Sequence, residues 1–365
     1  MSRRVRYFDG LRALAVLSVV AFHAGKYSRA DLTRVFPRIV MQGHHGVELF
    51  FVISGLCLSY PVLLAVHDRA STPFDVIGYA AKRLIRIVPP FYAAIALFAA
   101  IGPQRVPIGD VVRQALFIDN GTQLLNSSFW SLPVEFRWYA LFPLLLALWV
   151  RSARTFVWLI AVLFVLEQTR AQSTDLVALP AFMLGIIAAD FAVRPRELGR
   201  LALPLFAVVG LAAFLHASPL DSGQETSVLW ELCAFLLVVA AGATPWLKRA
   251  LSSGPLAFVG VASYSTYLCH ELAVHYAEQA GYAPVLAGIG GILLGIAFWY
   301  VVERPFTGAR VRERLTAPLT GILRRAFRIA GIPAGIDLVA KQIPSRVDSE
   351  RLETFLLQDV RAAQR

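Results

Sequence analysis

The chain has 365 residues, of which 57% are hydrophobic and only 16% are charged, with a formal net charge of +11. That composition excludes an ordinary soluble protein and indicates an integral membrane protein. Lys and Arg lie mostly beside apolar segments, so the positive charge is better explained by orientation of the protein in the membrane than by binding of nucleic acid.

The first apolar segment, YFDGLRALAVLSVVAFHAG (residues 7–25), is interrupted by Arg12 and His23. Arginines precede it, as in a secretory signal, but no A-x-A-like cleavage site follows, so we interpret it as a retained first span. On an α-helix the two side chains point within about 20° of one direction, roughly 16 Å apart along the axis. Burying both polar groups in an apolar span is costly, so this helix face predicts a functional site.

Nine further apolar segments follow, and they are too long and too continuous for the alternating strands of a barrel. The sequence therefore predicts an all-α, polytopic membrane helical bundle of about ten transmembrane helices. The predicted spans are residues 10–25, 46–66, 88–102, 134–150, 155–167, 176–193, 201–216, 228–244, 255–278 and 284–302.

The distribution of Lys and Arg predicts that both termini are cytoplasmic, although the first outer loop is also basic. Residues 1–306 are predicted to form the transmembrane domain. Residues 307–365 are predicted to form a basic cytoplasmic tail, in which Ile322 to Ile329 makes an amphipathic helix on the inner leaflet.

Four ionisable residues from distant segments are predicted at one depth, near the outer side: His23, Glu48, Glu135 and His270. His23 is predicted to be a general base, because an imidazole exchanges protons near neutral pH. Glu48 and Glu135 would orient or charge-balance His23, bind acceptor hydroxyls, or form ion pairs elsewhere. Which carboxylate pairs with His23 stays open at this point.

An arginine pair lies at the predicted inner side, in RLIRIVPPFY (residues 83–92). Arg83 and Arg86 are adjacent on a helix surface, and Pro89 with Pro90 is predicted to end or kink that turn. A guanidinium fork suits phosphate oxygens, so these residues with Arg12 predict a site for a phosphorylated donor. The alternative is that they only face lipid phosphates and set the orientation.

Six ordered motifs resemble the acyltransferase-3 family of integral membrane acyltransferases over roughly residues 7–306. They are FDGLRALAVLSVVAFH, GVELFFVISG, RLIRIVPPFY, WSLPVEFRWYALFP, SYSTYLCHE and VVERPF. The resemblance implies ten spans and transfer of an acetyl or other short acyl group from acyl-CoA to a hydroxyl. The implied acceptor is a carbohydrate, such as a surface or exported polysaccharide or a glycolipid. Pro133 and Phe136 stand where other members often carry Ser and a second acid, so any role of that acid is absent here.

The residue roles that this resemblance implies, together with the positions argued above, give three predicted groups. The catalytic group comprises His23, Glu48 and Glu135. The donor-binding group comprises Arg12, Arg83 and Arg86, and the acceptor-binding group comprises Trp130, Ser131, Tyr267 and His270. For Tyr267 and His270, a packing role is an equal alternative.

Several other chemistries lack their sequence signatures. The chain has no HExxH motif or Cys and His spacing for zinc, no G-x-S-x-G nucleophile elbow and no GK[ST] phosphate loop.

The sequence thus predicts a metal-independent O-acyltransferase of the bacterial cytoplasmic (inner) membrane. A transporter or flippase with charges along a permeation path is the main alternative, and it lacks inverted repeats. A receptor or assembly scaffold is a third class.

Overall fold

The computed structural model describes residues 5–26, 35–68, 74–118, 124–167, 176, 178–194, 197–217, 227–330 and 334–336. The described part of the chain is almost entirely helical, as predicted. The helices are α1 Arg6–Lys26, α2 Val35–Met41, α3 Gly46–His67, α4 Val76–Ile101, α5 Ile108–Ala115, α6 Ser131–Arg151, α7 Ala153–Glu167, α8 Leu179–Val193, α9 Ala202–His216, α10 Ser227–Ala243, α11 Pro245–Leu251, α12 Gly254–Val261, α13 Ser263–Gln279, α14 Pro284–Phe298, α15 Arg304–Thr307 and α16 Ala309–Ile329.

Six helical stretches in the described residues are long and apolar enough to cross a membrane. A seventh is possible if α10 and α11, which meet at an angle of 102°, form one broken span. Each of the ten predicted segments overlaps a described helix, and α8 is among the shorter apolar ones. The structure therefore supports a multi-pass helical protein, and the count of ten stays a prediction.

The third predicted span begins twelve residues earlier than expected, because α4 starts at Val76. The side chain of Asp75 caps this start by accepting a hydrogen bond of 3.0 Å from the backbone nitrogen of Gly78. Pro89 and Pro90 lie inside the helix and do not end it. The predicted arginine pair consequently lies within α4, about two turns from its start.

The ninth predicted span is broken at Ala262 into α12 and α13. Helix α12 packs against the N-terminal part of α1, where a Cβ at Gly260 would meet the backbone of Asp9. Helix α13 packs against the later part of α1 and against α14. The break thus lets one chain segment contact both ends of the first helix.

Helices α3 and α8 pack together through two glycines, as in many transmembrane helix pairs. A Cβ at Gly185 would lie inside contact distance of the carbonyl oxygen of Val52, and a Cβ at Gly55 would meet that of Phe182. The two backbones can therefore approach this closely only with glycine at both positions.

We expect Gly185→Val to destabilise the protein by about 1–3 kcal/mol or more, because the added side chain forces α3 and α8 apart. Thermal unfolding in detergent measures the effect. Gly109→Val in α5 is the matched control, since nothing lies within 4 Å of a Cβ there. Equal melting temperatures for the two variants would contradict the close packing.

The segment after the last apolar helix folds back along α4. Helix α16 packs against α4, and strand β1 (Phe74–Asp75) pairs antiparallel with strand β2 (Gly335–Ile336). The predicted amphipathic piece forms the last third of α16, where Ile322 and Ile329 are exposed. Most of the rest of the predicted tail lies outside the described residues, and its separation from the transmembrane domain stays a prediction.

Candidate active site

His23 lies in the last turn of α1, where it is buried among polar groups from three elements. Its Nδ1 is 3.0 Å from the carbonyl oxygen of Val19 and 3.1 Å from Nε2 of His270. Its Nε2 is 3.4 Å from Oε1 of Glu271 and 3.5 Å from Oγ of Ser127. One nitrogen of the imidazole therefore faces His270, and the other faces the carboxylate of Glu271 and the hydroxyl of Ser127.

The fully buried His270 determines how the ring of His23 is used. Its own Nδ1 is 3.0 Å from the carbonyl oxygens of both Thr266 and Tyr267, so Nδ1 carries the hydrogen and donates it there. The Nε2 of His270 then has a free lone pair that accepts from Nδ1–H of His23. This tautomer, assigned from the hydrogen-bond network, leaves a lone pair on Nε2 of His23.

The carboxylate of Glu271 is fixed by the segment before α6. Ser127 Oγ donates to Oε2 over 2.7 Å, the backbone nitrogen of Ser128 donates to Oε1 over 2.8 Å, and Ser128 Oγ also donates to Oε1. The side chain of Asn126 holds this segment in place by donating to the carbonyl oxygen of Leu268 over 2.9 Å. The carboxylate therefore has a defined position beside His23.

A second polar group surrounds a cavity at the other end of α1. The cavity encloses about 80 Å³ and contains the three predicted donor-binding arginines among its lining residues. Its polar lining is Arg12, Ser54, Arg83, Arg86, Ser131, Glu135, Tyr139, Ser263, Tyr264 and Tyr267. The structure thus brings Arg12, Arg83 and Arg86 together, as the sequence predicted.

Acidic side chains accompany these arginines. Arg86 lies 3.7 Å from Oε1 of the buried Glu303, whose other oxygen accepts a hydrogen bond of 2.7 Å from Ser265. Arg12 lies 4.0 Å from Asp9. Opposite charges at these distances lower the cost of burying the guanidinium groups.

Glu135 lies at the arginine cavity. It accepts a hydrogen bond of 2.6 Å from Tyr139 and another from Ser54. The structure therefore brings Glu135 to Arg12 and its neighbours, and the carboxylate in contact with His23 is Glu271.

Glu48 has a different partner as well. Its Oε1 is 3.0 Å from Nδ1 of His45, and the His45 ring stacks on Trp230 with centroids 4.7 Å apart. The other predicted aromatic residue, Trp130, is partly buried with its ring edge-on to Phe51. In the described part of the chain the polar side-chain partners of His23 are Ser127, His270 and Glu271, so Glu48 and Trp130 are not among them.

Ser131 and Tyr267 lie where the two polar groups meet. Their hydroxyl oxygens are 2.7 Å apart, and both residues line the arginine cavity. The backbone oxygen of Tyr267 contacts His270, which in turn contacts His23. Tyr267 therefore connects the two polar groups, because its hydroxyl pairs with Ser131 at the cavity and its ring centroid lies 6.2 Å from that of His270.

The sequence interpretation missed Glu271 and Ser127 beside His23, and it missed Glu303 beside Arg86. Both carboxylates have a sequence signal, because Glu271 directly follows His270 in SYSTYLCHE and Glu303 lies in VVERPF. No comparable signal marked Ser127, whose position depends on how the loop before α6 folds.

Comparison with known proteins gives two findings that agree. A family model for an acyltransferase domain of the acyltransferase-3 type matches residues 5–304. The chain is 29% identical over 330 residues to the exopolysaccharide production protein ExoZ of Rhizobium meliloti (strain 1021), covering 76% of this chain and 96% of ExoZ.

A second relative is longer than this chain. The O-acetyltransferase OatA of Staphylococcus aureus (strain NCTC 8325 / PS 47) is 23% identical over 337 residues. That match covers 78% of this chain and 54% of OatA, so the chain spans about half the length of this relative. No solved structure matches the chain.

Proposed function

The chain belongs to the acyltransferase-3 family, and on that premise we propose that it is a membrane-embedded O-acyltransferase using acyl-CoA as donor. It moves an acetyl or other short acyl group to a hydroxyl of a carbohydrate, such as a surface or exported polysaccharide or a glycolipid. The name of ExoZ, which refers to exopolysaccharide production, supports this acceptor class. The observation that carries the proposal is the arginine-lined cavity, whose lining includes Tyr267, a residue that also contacts His270 of the imidazole cluster.

Arg12, Arg83 and Arg86 bind the phosphates of the donor in this proposal. Their chemistry fits, because guanidinium groups donate bidentately to phosphate oxygens. Moreover, Nε of Arg83 is buried with no hydrogen-bond partner in the described part of the chain, which leaves a donor for a ligand. Glu303 keeps Arg86 neutralised until phosphate competes for it.

The cavity of about 80 Å³ is much smaller than the roughly 300–1,000 Å³ of typical ligand sites. The nucleotide part of acyl-CoA therefore remains at the mouth, where Arg86 is 37% exposed, and only the thioester arm enters. The arm must separate the hydroxyls of Ser131 and Tyr267 to bring the acyl group to His23.

We expect Arg86→Ala and Arg83→Ala each to raise the KM for acyl-CoA about tenfold, with a smaller effect on kcat, since they remove phosphate contacts rather than the base. Initial rates at varied acyl-CoA measure this. The control is Lys82→Ala, which removes an exposed cation from the same turn of α4. If all three variants raise KM equally, the arginines act through general surface charge.

Chemistry occurs at Nε2 of His23. It takes the proton of the acceptor hydroxyl while that oxygen attacks the thioester carbonyl, and the C–O bond forms as the C–S bond breaks. The imidazolium then returns the proton to the leaving thiolate. Glu271 stabilises the transient positive charge at 3.4 Å, and His270 maintains the reactive tautomer of His23.

The remaining predicted residues support this centre. The acceptor contacts Ser131, Tyr267 and Trp130 where the two substrates meet. Glu135 fixes the side chains of Tyr139 and Ser54 in the cavity wall by accepting their hydrogen bonds. Glu48 acts at a distance, by fixing His45 and the start of α3.

The membrane arrangement is part of the same proposal. Ten spans with both termini cytoplasmic, in a bacterial inner membrane, would put the arginine cavity on the side that supplies acyl-CoA. They would put the imidazole cluster toward the side that holds exported carbohydrate. Residues 1–306 form the catalytic domain, and residues 307–365 a basic cytoplasmic tail.

Purified protein in liposomes, given labelled acetyl-CoA and candidate glycans, tests the function. Acceptor-dependent release of free thiol with label on the glycan supports the acyltransferase. Solute flux without thiol release would replace it with the transporter alternative.

A further inference from the structure

The side chains of His23, His270 and Glu271 form the group of potential metal ligands that the described residues contain. One nitrogen of each imidazole and one carboxylate oxygen lie within 4.8 Å of one another, and all three residues are largely buried. The sequence predicted His23 and His270 at one depth, but it did not predict Glu271 beside them, although Glu271 directly follows His270 in the chain.

We propose that this triad is a binding site for one divalent ion of the zinc class, and that the bound ion inhibits the enzyme. The inhibitory part rests on the proposed role of His23 as base. The binding part rests on the geometry alone.

The distances from the His23 ring to its two partners are close to the distances between neighbouring ligand atoms around a coordinated ion. Zinc bonds of about 2.0–2.2 Å in a tetrahedral site separate neighbouring ligand atoms by roughly 3.3 Å. Here His23 lies 3.1 Å from His270 and 3.4 Å from Glu271. These two distances use different nitrogens of His23, so ion binding requires its ring to turn until one nitrogen faces both partners.

The atoms behind the triad also suit a metal site. Histidine ligands usually donate their second ring hydrogen to a backbone carbonyl, and ligating carboxylates are themselves hydrogen-bonded. Nδ1 of His23 is 3.0 Å from the Val19 carbonyl, and Nδ1 of His270 is 3.0 Å from the Thr266 carbonyl. Glu271 accepts a hydrogen bond from the backbone nitrogen of Ser128.

The chemical types of the three ligand atoms determine which ions the site prefers. Two imidazole nitrogens and one carboxylate oxygen suit Zn²⁺, Co²⁺, Ni²⁺ or Cu²⁺, whereas Mg²⁺ and Ca²⁺ prefer sites built of oxygen. The exposed side chain of Ser127 lies beside Glu271, which gives an ion a route from solvent and leaves a fourth coordination position for water.

Ion binding and catalysis exclude one another at this site. A metal-bound nitrogen of His23 has no lone pair with which to accept the acceptor's proton. Zinc therefore acts as a reversible inhibitor that competes with the acceptor hydroxyl.

Titration of the full-length, chelator-treated protein in detergent with Co²⁺ tests binding, because four-coordinate Co²⁺ absorbs visible light strongly. We expect one Co²⁺ per chain in the wild type and in His275→Ala, which removes a histidine of α13 outside the triad. His270→Ala and the isosteric Glu271→Gln should weaken binding at least about tenfold. No absorbance in the wild type, or equal binding by His270→Ala and His275→Ala, would overturn the proposal. Glu271→Gln covers the case that His270→Ala does not fold.

A second measurement tests inhibition. Zn²⁺ should lower the rate of acyl transfer at least about tenfold in the wild type, with recovery after chelator is added. Binding of Co²⁺ to the triad with no effect of Zn²⁺ on the rate would overturn the inhibitory part. The rate of the metal-free wild type tests the proposed function separately, since transfer in this scheme needs no ion.

Discussion

His23→Gln is expected to lower kcat for acyl transfer about 1,000-fold, within the 100-fold to 10,000-fold range of a general base. Glutamine has a similar size and can still donate toward the Val19 carbonyl, but it cannot take up a proton at neutral pH. In the structure Nε2 of His23 is the nitrogen that faces Glu271 and Ser127, away from His270. Thiol release and labelled glycan, measured at saturating acyl-CoA, report the change.

The control for this variant is His275→Gln, which makes the same substitution on a partly buried histidine of α13 outside the cluster. We expect its rate to stay close to that of the wild type. Both proteins should give the same size-exclusion profile, so that a loss of rate reflects chemistry. Wild-type kcat in His23→Gln would remove the proposed base and the mechanism built on it.

Glu271→Gln is expected to lower kcat about 100-fold, because it removes the negative charge that stabilises the imidazolium while keeping the side-chain shape. The change also leaves an acceptor oxygen for Ser127 or Ser128. Its effect should lie in kcat rather than in the KM for acyl-CoA, since Glu271 is not among the described residues that line the arginine cavity. A full kinetic analysis separates the two parameters.

Glu48→Gln makes the same chemical change at one of the two carboxylates that the sequence predicted to be catalytic. Because Glu48 contacts His45 instead of His23, we expect only a small fall in kcat. A larger loss in Glu48→Gln than in Glu271→Gln would mean that His23 changes its partner during turnover. The pair of variants thus decides which acid assists the base.

The fold was largely predictable because apolar length is a strong local signal. Every predicted span overlaps a helix, and the family resemblance is confirmed by the match over residues 5–304. The start of α4 was predicted too late, since hydropathy is low where Lys82, Arg83 and Arg86 interrupt the helix. The capping Asp75 was the signal that could have corrected it.

The two ends of the candidate site were predictable to different degrees. The sequence predicted that Arg12, Arg83 and Arg86 form one site, because the family motifs contain them and all three lie near the predicted inner side of the membrane. The partner of His23 was not predictable, because depth alone cannot say which face of a helix points inward. Glu135 and Glu271 both occur near the predicted outer side, and only the packing of α13 against α1 distinguishes them.

The hydroxyl contact between Ser131 and Tyr267 has a consequence for the cell as well as for the reaction. A catalyst that draws its donor from one compartment and its acceptor from another risks becoming a leak for protons and salts. In the proposed mechanism an acyl arm must part these two oxygens, which are 2.7 Å apart, so their contact would keep the resting protein closed to protons and salts at this point. An enzyme that works in the proposed way would modify an external carbohydrate without discharging the electrochemical gradient across its membrane.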